Sequence, residues 1–313
     1  MRCVVIVNPA AAGGKAAELW PRIEESVRDV FGDHEVRFST SLDNAGLLAR
    51  DALRDGALTV LVVGGDGMCS AVANGFIEDG QPVSPDAALA LIPAGTGSDL
   101  ARTLGIPRKP VAAIESLRTA RRLPTDLIRC SYTNSDGGQS VRYVLNASQI
   151  GFGAVVAGRV NRSSKRVRGT LPYLAIALAT LVQWRHIPVT LDLDDRATIR
   201  ANILEIAVAN GQYFGGGMHI APRASIQDGR LDLVIVPKIG LGRALAFIPP
   251  LYRNGILGRN GVIWRQCRKI TVRSDDEIKT PIEIDGEDVG CLPATFEVIP
   301  QPISVLVPNP ACR

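Results

Sequence analysis

The chain has 313 residues, about two ordinary domains in length, with 46% hydrophobic and 21% charged residues, a globular composition that excludes wholesale disorder. Its 31 glycines follow no Gly-X-Y period, which excludes collagen. A net charge of +4 and 5% aromatic residues supply neither the charge footprint nor the stacking platform of a nucleic-acid binder.

Val4-Val5-Ile6-Val7 reads as a buried strand that Asn8-Pro9 ends. Gly13-Gly14 come next. Leu19, Ile23, Val27 and Phe31 then recur every four residues, one face of a helix. Pro21 predicts that the regular helix starts near Trp20 or kinks there. A strand over 35–38, a helix over 44–54 and a β-branched strand over 58–63 follow. Gly64-Gly65-Asp66-Gly67 ends that strand, and a helix runs to about residue 77. The theme recurs at 88–92, with Pro93-Ala94-Gly95-Thr96-Gly97 and a helix from about Ser98. Strand, glycine turn and helix, three times over, predict a parallel α/β sheet covered on both faces.

After about Thr125 the texture changes. Strand-like runs fall at 126–132, 142–147, 189–193, 203–210, 231–236, 269–272, 282–284, 295–299 and 303–307. Only 169–184 and 242–257 look helical. The fold class expected is therefore α/β plus β. A three-layer α/β nucleotide-binding domain spans 1–125. A β-rich, sandwich-like domain spans 126–313, and its extreme C-terminal segment packs back on the first. The apolar run 3–7 is too short for a signal-peptide core, and 171–184 falls short of the roughly 20 residues of a spanning helix. The three His and six Cys show no zinc or redox spacing. A cytoplasmic protein with reduced thiols is the expectation.

In an open parallel sheet, ligands bind beyond the carboxyl ends of the strands. Three glycine-rich turns lie there, at 8–14, 64–67 and 95–97. Glycine lets backbone N–H groups converge on oxyanions, and a helix starting after the turn adds partial positive charge. Together the three turns suit a polyphosphate, although each alone is equally well a tight connection. A Walker loop is excluded, because Pro9 stands where its first glycine belongs and Ala16 replaces its Ser/Thr. The Rossmann fingerprint is absent after the first strand. Asp66, an acid between glycines, can coordinate Mg²⁺, orient a nucleotide, accept a hydroxyl proton or simply close an Asx turn.

Gly64-Gly65-Asp66-Gly67 after a β-branched strand, with Asn74-Gly75 downstream, resembles the diacylglycerol kinase catalytic-domain family, which includes bacterial lipid kinases and is related to sphingosine and ceramide kinases. Further blocks stand in family order: Asn8-Pro9 with Gly13-Gly14-Lys15, the run from Pro93 to Arg102, Asp228-Gly229-Arg230-Leu231-Asp232, and Ile284-Asp285-Gly286-Glu287. The resemblance implies an α/β nucleotide domain, a β-rich lipid domain and an active site in the cleft between them. It implies transfer of the ATP γ-phosphoryl group to the hydroxyl of diacylglycerol or a related lipid, with Mg²⁺. Asn8, Gly64, Gly65, Asp66, Gly67, Gly95, Thr96 and Gly97 would bind the nucleotide. Asp285, Asp66 and Glu287 would serve catalysis, with Asp285 as the base by analogy to bacterial lipid kinases and Asp66 by analogy to sphingosine kinases. Asp228, Asp232 and Glu287 would serve a metal; the alternative for Asp228 is a plain turn residue.

Met68, Ala71 and Ser98 stand where the family carries Thr, Glu and Asn, and Ala11-Ala12 stand where it carries Ser-Gly. Two alternatives therefore stay open: an NAD kinase-like enzyme, and a catalytically weak lipid-binding pseudokinase. Arg159, Arg162, Lys165, Arg166 and Arg168 precede the apolar run 171–184. They form either a peripheral contact with anionic lipid or a solvated loop over a core helix. The partners expected are a diacylglycerol-like lipid, a membrane surface and a second copy in a homodimer, with no nucleic acid.

Overall fold

The computed structural model describes residues 2–10, 14–95, 97–162, 170–259, 261–276 and 279–309. The chain forms two compact units. One runs to Leu127 and resumes at Pro300; the other is Ile128–Ile299.

The first unit starts as β1 (Cys3–Val7), α1 (Lys15–Phe31), β2 (His34–Phe38), α2 (Leu42–Arg54), β3 (Thr59–Gly64) and α3 (Asp66–Gly75). A two-stranded hairpin of β4 (Ile77–Glu78) and β5 (Gln81–Pro82) follows, then β6 (Ala88–Pro93), α4 (Asp99–Thr103) and α5 (Pro110–Ser116). The strands pair in parallel in the order β2-β1-β3-β6. Ser304 and Val305 near the chain's end add a further parallel pairing on β6. Every residue of β1, β3 and β6 is buried, as continuous apolar runs demand when helices cover both faces. Cys3, Val5 and Val7 share one core with Trp20, Ile23 and Val27 of α1 and Ile114 of α5.

Helix α1 begins at Lys15, five residues ahead of Trp20, and runs through Pro21. Burial of Trp20 and Ile23 holds the turn that the proline leaves one hydrogen bond short. Helices α2 and α3 pack closely enough that a Cβ on Gly75 would lie 2.3 Å from the Gly46 carbonyl oxygen. The β4–β5 hairpin was not expected from sequence; its strands are two residues each, too short to carry a period.

The second unit holds most of β7 (Arg121–Thr133), then β8 (Gln139–Val144), β9 (Ala147–Gly151), α6 (Phe152–Arg162), α7 (Thr170–Val182), β10 (Ile187–Leu193) and β11 (Ala197–Ala209). It continues as β12 (Leu231–Pro237), α8 (Leu241–Leu251), β13 (Ile263–Cys267), β14 (Lys269–Ser274), β15 (Pro281–Ile284) and the first part of β16 (Glu287–Val307). Its pairings are antiparallel. Strand β11 pairs along one edge with β10 over 197–203 and then with β9 over 205–209, and along the other with β12, where the register shifts between Ile203 and Glu205. Through β10, β14, β16, β15 and β9 the pairings return to β11, a closed circuit around a core that includes Ile128, Ile150, Ile206, Ile282 and Phe296.

The run expected as one strand over 142–147 is two, because Leu145 and Asn146 leave the ladder between β8 and β9. The runs expected at 295–299 and 303–307 are one strand, β16, whose residues beyond Ile299 belong to the first unit. Among the described residues no helix is long and apolar enough to cross a membrane.

Replacing Gly75 with Ala forces a methyl group onto backbone rather than onto a movable side chain. Gly75→Ala is expected to lower stability by about 1–3 kcal/mol in urea unfolding. An unchanged midpoint would contradict the close packing of α2 on α3.

Candidate functional site

Strands β3 and β6 are neighbours, with Gly64 opposite Pro93, so the turns that follow them leave the same sheet edge. The Ala94 N–H donates to the Gly64 carbonyl at 2.9 Å. A Cβ on Gly95 would stand 2.6 Å from the Gly65 Cα, so the turns touch backbone to backbone. Asp66 opens α3, and its Oδ1 accepts the Leu100 N–H at 2.9 Å. Leu100 lies in the first turn of α4, whose N-cap Ser98 supplies no side-chain cap. Asp66 thus caps the helix of the neighbouring βα unit. A Cβ on Gly97 would lie 3.0 Å from Asp66 Oδ2, so that oxygen also faces the second turn.

Gly64, Gly65, Asp66, Gly67, Gly95 and Gly97 are therefore gathered at one edge of the first unit. Thr96 lies outside the described residues. Asn8 follows β1, the strand beside β3; its N–H donates to the Val63 carbonyl at 3.5 Å, and its Oδ1 accepts the Ala10 N–H at 3.0 Å. Neither α1 nor α3 has a side-chain hydrogen bond at its N-cap. Their first-turn N–H groups suit an anion.

Two of the three departures, Met68 and Ala71, have packing reasons, and nothing in the structure explains Ser98 in place of asparagine. Met68 is buried over Gly64, and its sulfur takes the Ser39 hydroxyl. Ala71 is buried where α3 meets Gly46 of α2, a place that a glutamate could occupy only at the cost of a buried charge. Ser98 holds a left-handed backbone with φ 54°, a conformation asparagine tolerates well.

In the second unit Asp285 occupies the turn between β15 and β16 with φ 49° and is 6% exposed. Its Oδ2 accepts the Leu145 N–H, and its Oδ1 accepts the Asn146 and Ala147 N–H groups, each at 2.9 Å. The backbone that leaves the ladder between β8 and β9 thus fixes this carboxylate. Glu283, two residues earlier, is buried; Gln149 Nε2 donates to its Oε2 at 2.6 Å, and the Gly286 N–H donates to its Oε1. Burial, with Asp285 and Glu287 nearby, pushes the Glu283 carboxyl up to about 8. Burial raises Glu205 well above the ordinary carboxylate range, and the Glu283 charge adds to it.

The trio of Asp228, Asp232 and Glu287 does not form a metal-ligand group among the described residues. Asp228 Oδ1 accepts the Arg230 N–H, closing its own turn. Trp264 Nε1 donates to Asp232 Oδ1 at 2.6 Å, and Gln266 Nε2 bridges the second oxygens of Asp228 and Asp232. Asp228 and Asp232 are thus joined in one network through Gln266. Glu287, at the start of β16, is half-buried. Of the basic cluster, Arg159 donates to Thr180 Oγ1 at 2.9 Å, tying α6 to α7; Lys165, Arg166 and Arg168 lie outside the described residues.

The second unit also encloses a cavity of about 320 Å³. Leu178 and Leu181 of α7, Phe247, Ile248 and Leu251 of α8, and Phe152, Phe214 and Met218 give it an apolar wall broken by Gln149 and Glu205. Sequence reading missed Glu205, Glu283 and Gln149. The available signal was an acid inside the apolar run Ile203-Leu204-Glu205-Ile206.

Two family descriptions match: "Diacylglycerol kinase catalytic domain" over residues 2–130, and "YegS C-terminal NAD kinase beta sandwich-like domain" over 146–307. The "Probable lipid kinase YegS-like" protein of Stenotrophomonas maltophilia is 27% identical over 274 residues, 88% of this chain and 86% of its own. The diacylglycerol kinase of Mycobacterium tuberculosis is 29% identical over 301 residues, 96% of this chain and 90% of its own. The crystal structure of a diacylglycerol kinase from Bacillus anthracis superposes with TM-score 0.71 at 21% identity, covering 99% of this chain and 97% of that one. Yeast NADH kinase shares the fold at TM-score 0.52 and 10% identity, covering 99% of this chain and 84% of that one.

The Glu283 carboxyl ionises near its ordinary value in the unfolded chain and near 8 in the folded one. Its contribution is complete below about pH 4.5, falls as pH rises toward 8 and levels off beyond, a slope on the order of 1 kcal/mol per pH unit. Urea unfolding of the wild type from pH 5 to 9 should show that decline, and Glu283→Gln should flatten it. Parallel pH curves for the two proteins would contradict a neutral Glu283.

Proposed function

We propose that this chain, which belongs to the family defined by the diacylglycerol kinase catalytic domain and the YegS-type C-terminal domain, uses ATP and Mg²⁺ to phosphorylate the hydroxyl of diacylglycerol or a related lipid alcohol. Its class is lipid kinase, as with its curated relatives. The observation that carries the lipid reading is the apolar cavity in the unit that matches the YegS-type domain. A wall of Leu, Ile, Phe and Met side chains suits an acyl chain and gives no purchase to a dinucleotide.

The first unit supplies the phosphate-binding chemistry. The glycine turns at 64–67 and 95–97 and the uncapped N-termini of α1 and α3 fit a polyphosphate, the source of the transferred phosphoryl group. A triphosphate beside the Asp66 carboxylate needs a cation between them. Mg²⁺ commonly takes only one or two protein carboxylates and fills its shell with phosphate oxygens and water. Asp66 is the residue that would hold it, and a three-ligand protein cluster is not needed.

Asp285 is the assigned base for the lipid hydroxyl. Its three backbone hydrogen bonds fix the plane of the carboxylate. The lipid is taken from a membrane surface by peripheral contact. Exposed Val182 on α7 and Leu241 and Leu245 on α8 belong to helices that line the cavity and offer apolar surface for that contact.

Labelled ATP with Mg²⁺, offered in parallel to a lipid panel and to NAD, tests the reading. Label should appear in diacylglycerol or a related lipid alcohol. Asp285→Asn should slow transfer by roughly 10²-fold or more while nucleotide binding persists. Label in NADP, or lipid binding without transfer, would overturn the assignment.

A further inference from the structure

The irregularity in β11 has a chemical consequence. In a regular strand, consecutive side chains point to opposite faces. At the register shift between Ile203 and Glu205, both Leu204 and Glu205 instead line the cavity. A bulge of this kind re-aims a side chain, and here it turns an acid into an apolar chamber.

Glu205 is 8% exposed. Its Oε2 accepts the Gly153 N–H at 2.6 Å, while its Oε1 is buried with no hydrogen-bond partner. A Cβ on residue 153 would lie 1.9 Å from Gln149 Oε1 and 2.8 Å from Glu205 Oε1, so only glycine there leaves room for both side chains at the cavity wall. An unsatisfied buried polar atom is costly and calls for an explanation.

We propose that Glu205 Oε1 is the polar reader of the lipid cavity, donating a hydrogen bond to an ester carbonyl oxygen of the bound acyl lipid. This inference rests on the reading of the cavity as the lipid site. Oε2 accepts the backbone N–H and so acts as the carbonyl oxygen of the acid, which leaves the proton on Oε1. Burial and the neighbouring Glu283 both favour that neutral form. An O–H donor carried by a residue in the wall of an apolar chamber selects a ligand that carries an acceptor within its apolar length. An acyl ester has one; a simple alkyl chain has none, and an ether oxygen is a weaker one.

The probes are dioctanoylglycerol and its dioctyl ether analogue, in mixed micelles without nucleotide. The wild type should bind the ester roughly threefold to tenfold more tightly than the ether, the worth of one neutral hydrogen bond. Glu205→Met should bring the ratio near one while ether binding persists. Glu205→Gln, whose amide N–H₂ can replace the O–H, should keep the preference. Isotope-edited infrared spectroscopy reads the wild type directly: the labelled carbonyl band of bound dioctanoylglycerol should fall below its position in apolar solvent. Equal binding of ester and ether, an unshifted carbonyl band, or an unchanged ratio in Glu205→Met would each overturn the assignment. Transfer of label to lipid despite any of these results would leave the kinase reading standing, which separates the two failures.

Discussion

The backbone contact between the turn after β3 and the turn after β6 is the constraint on which the nucleotide-handling half depends. Two parallel neighbouring strands end level, at Gly64 and Pro93. Their turns can meet only because neither Gly65 nor Gly95 has a side chain in the gap. Asp66 then reaches across to the Leu100 N–H, so one carboxylate ends its own turn and caps its neighbour's helix. The arrangement gathers backbone donors, helix N-termini and the carboxylates of Asp66 and Asp99 along one sheet edge, the chemistry a metal-bound polyphosphate requires.

The second unit solves a different problem, that of keeping acids inside an apolar core. Asp285 is held by three backbone donors where the chain passes from β8 into β9. Glu283 is held by Gln149 and by the Gly286 N–H. Glu205 has one donor and one unpartnered oxygen. Of the three, Glu205 is the one with a buried oxygen that has no hydrogen-bond partner, and it lines the cavity. Such groups cost stability where they are, which fits placement for binding rather than for folding.

Much of this was legible in the sequence. The parallel sheet follows from continuous apolar runs ended by glycine turns, and Gly64, Gly65, Asp66, Gly95 and Gly97, singled out by motif, lie together. The β-rich character of the second unit follows from short runs separated by Gly, Asn and Asp. Other features were not legible. Pro21 argued for a later start to α1, because the packing of Trp20 and Ile23 that overrides it is a tertiary effect. The hydrogen bonds of Asp228 and Asp232 could not be read ahead, because their donors Trp264 and Gln266 lie more than thirty positions away in sequence on β13. Glu205 was hidden because a bulge breaks the alternation from which strand faces are read.

Hydrogen exchange of the backbone amides, with and without Mg-ATP, tests the contact between the two turns most directly. Binding should slow exchange at residues 65–68 and 97–100 together, as both turns close on one ligand, and leave 145–147 around Asp285 unchanged. Nucleotide binding that protects only one of the turns, or neither, would contradict a shared polyphosphate cradle.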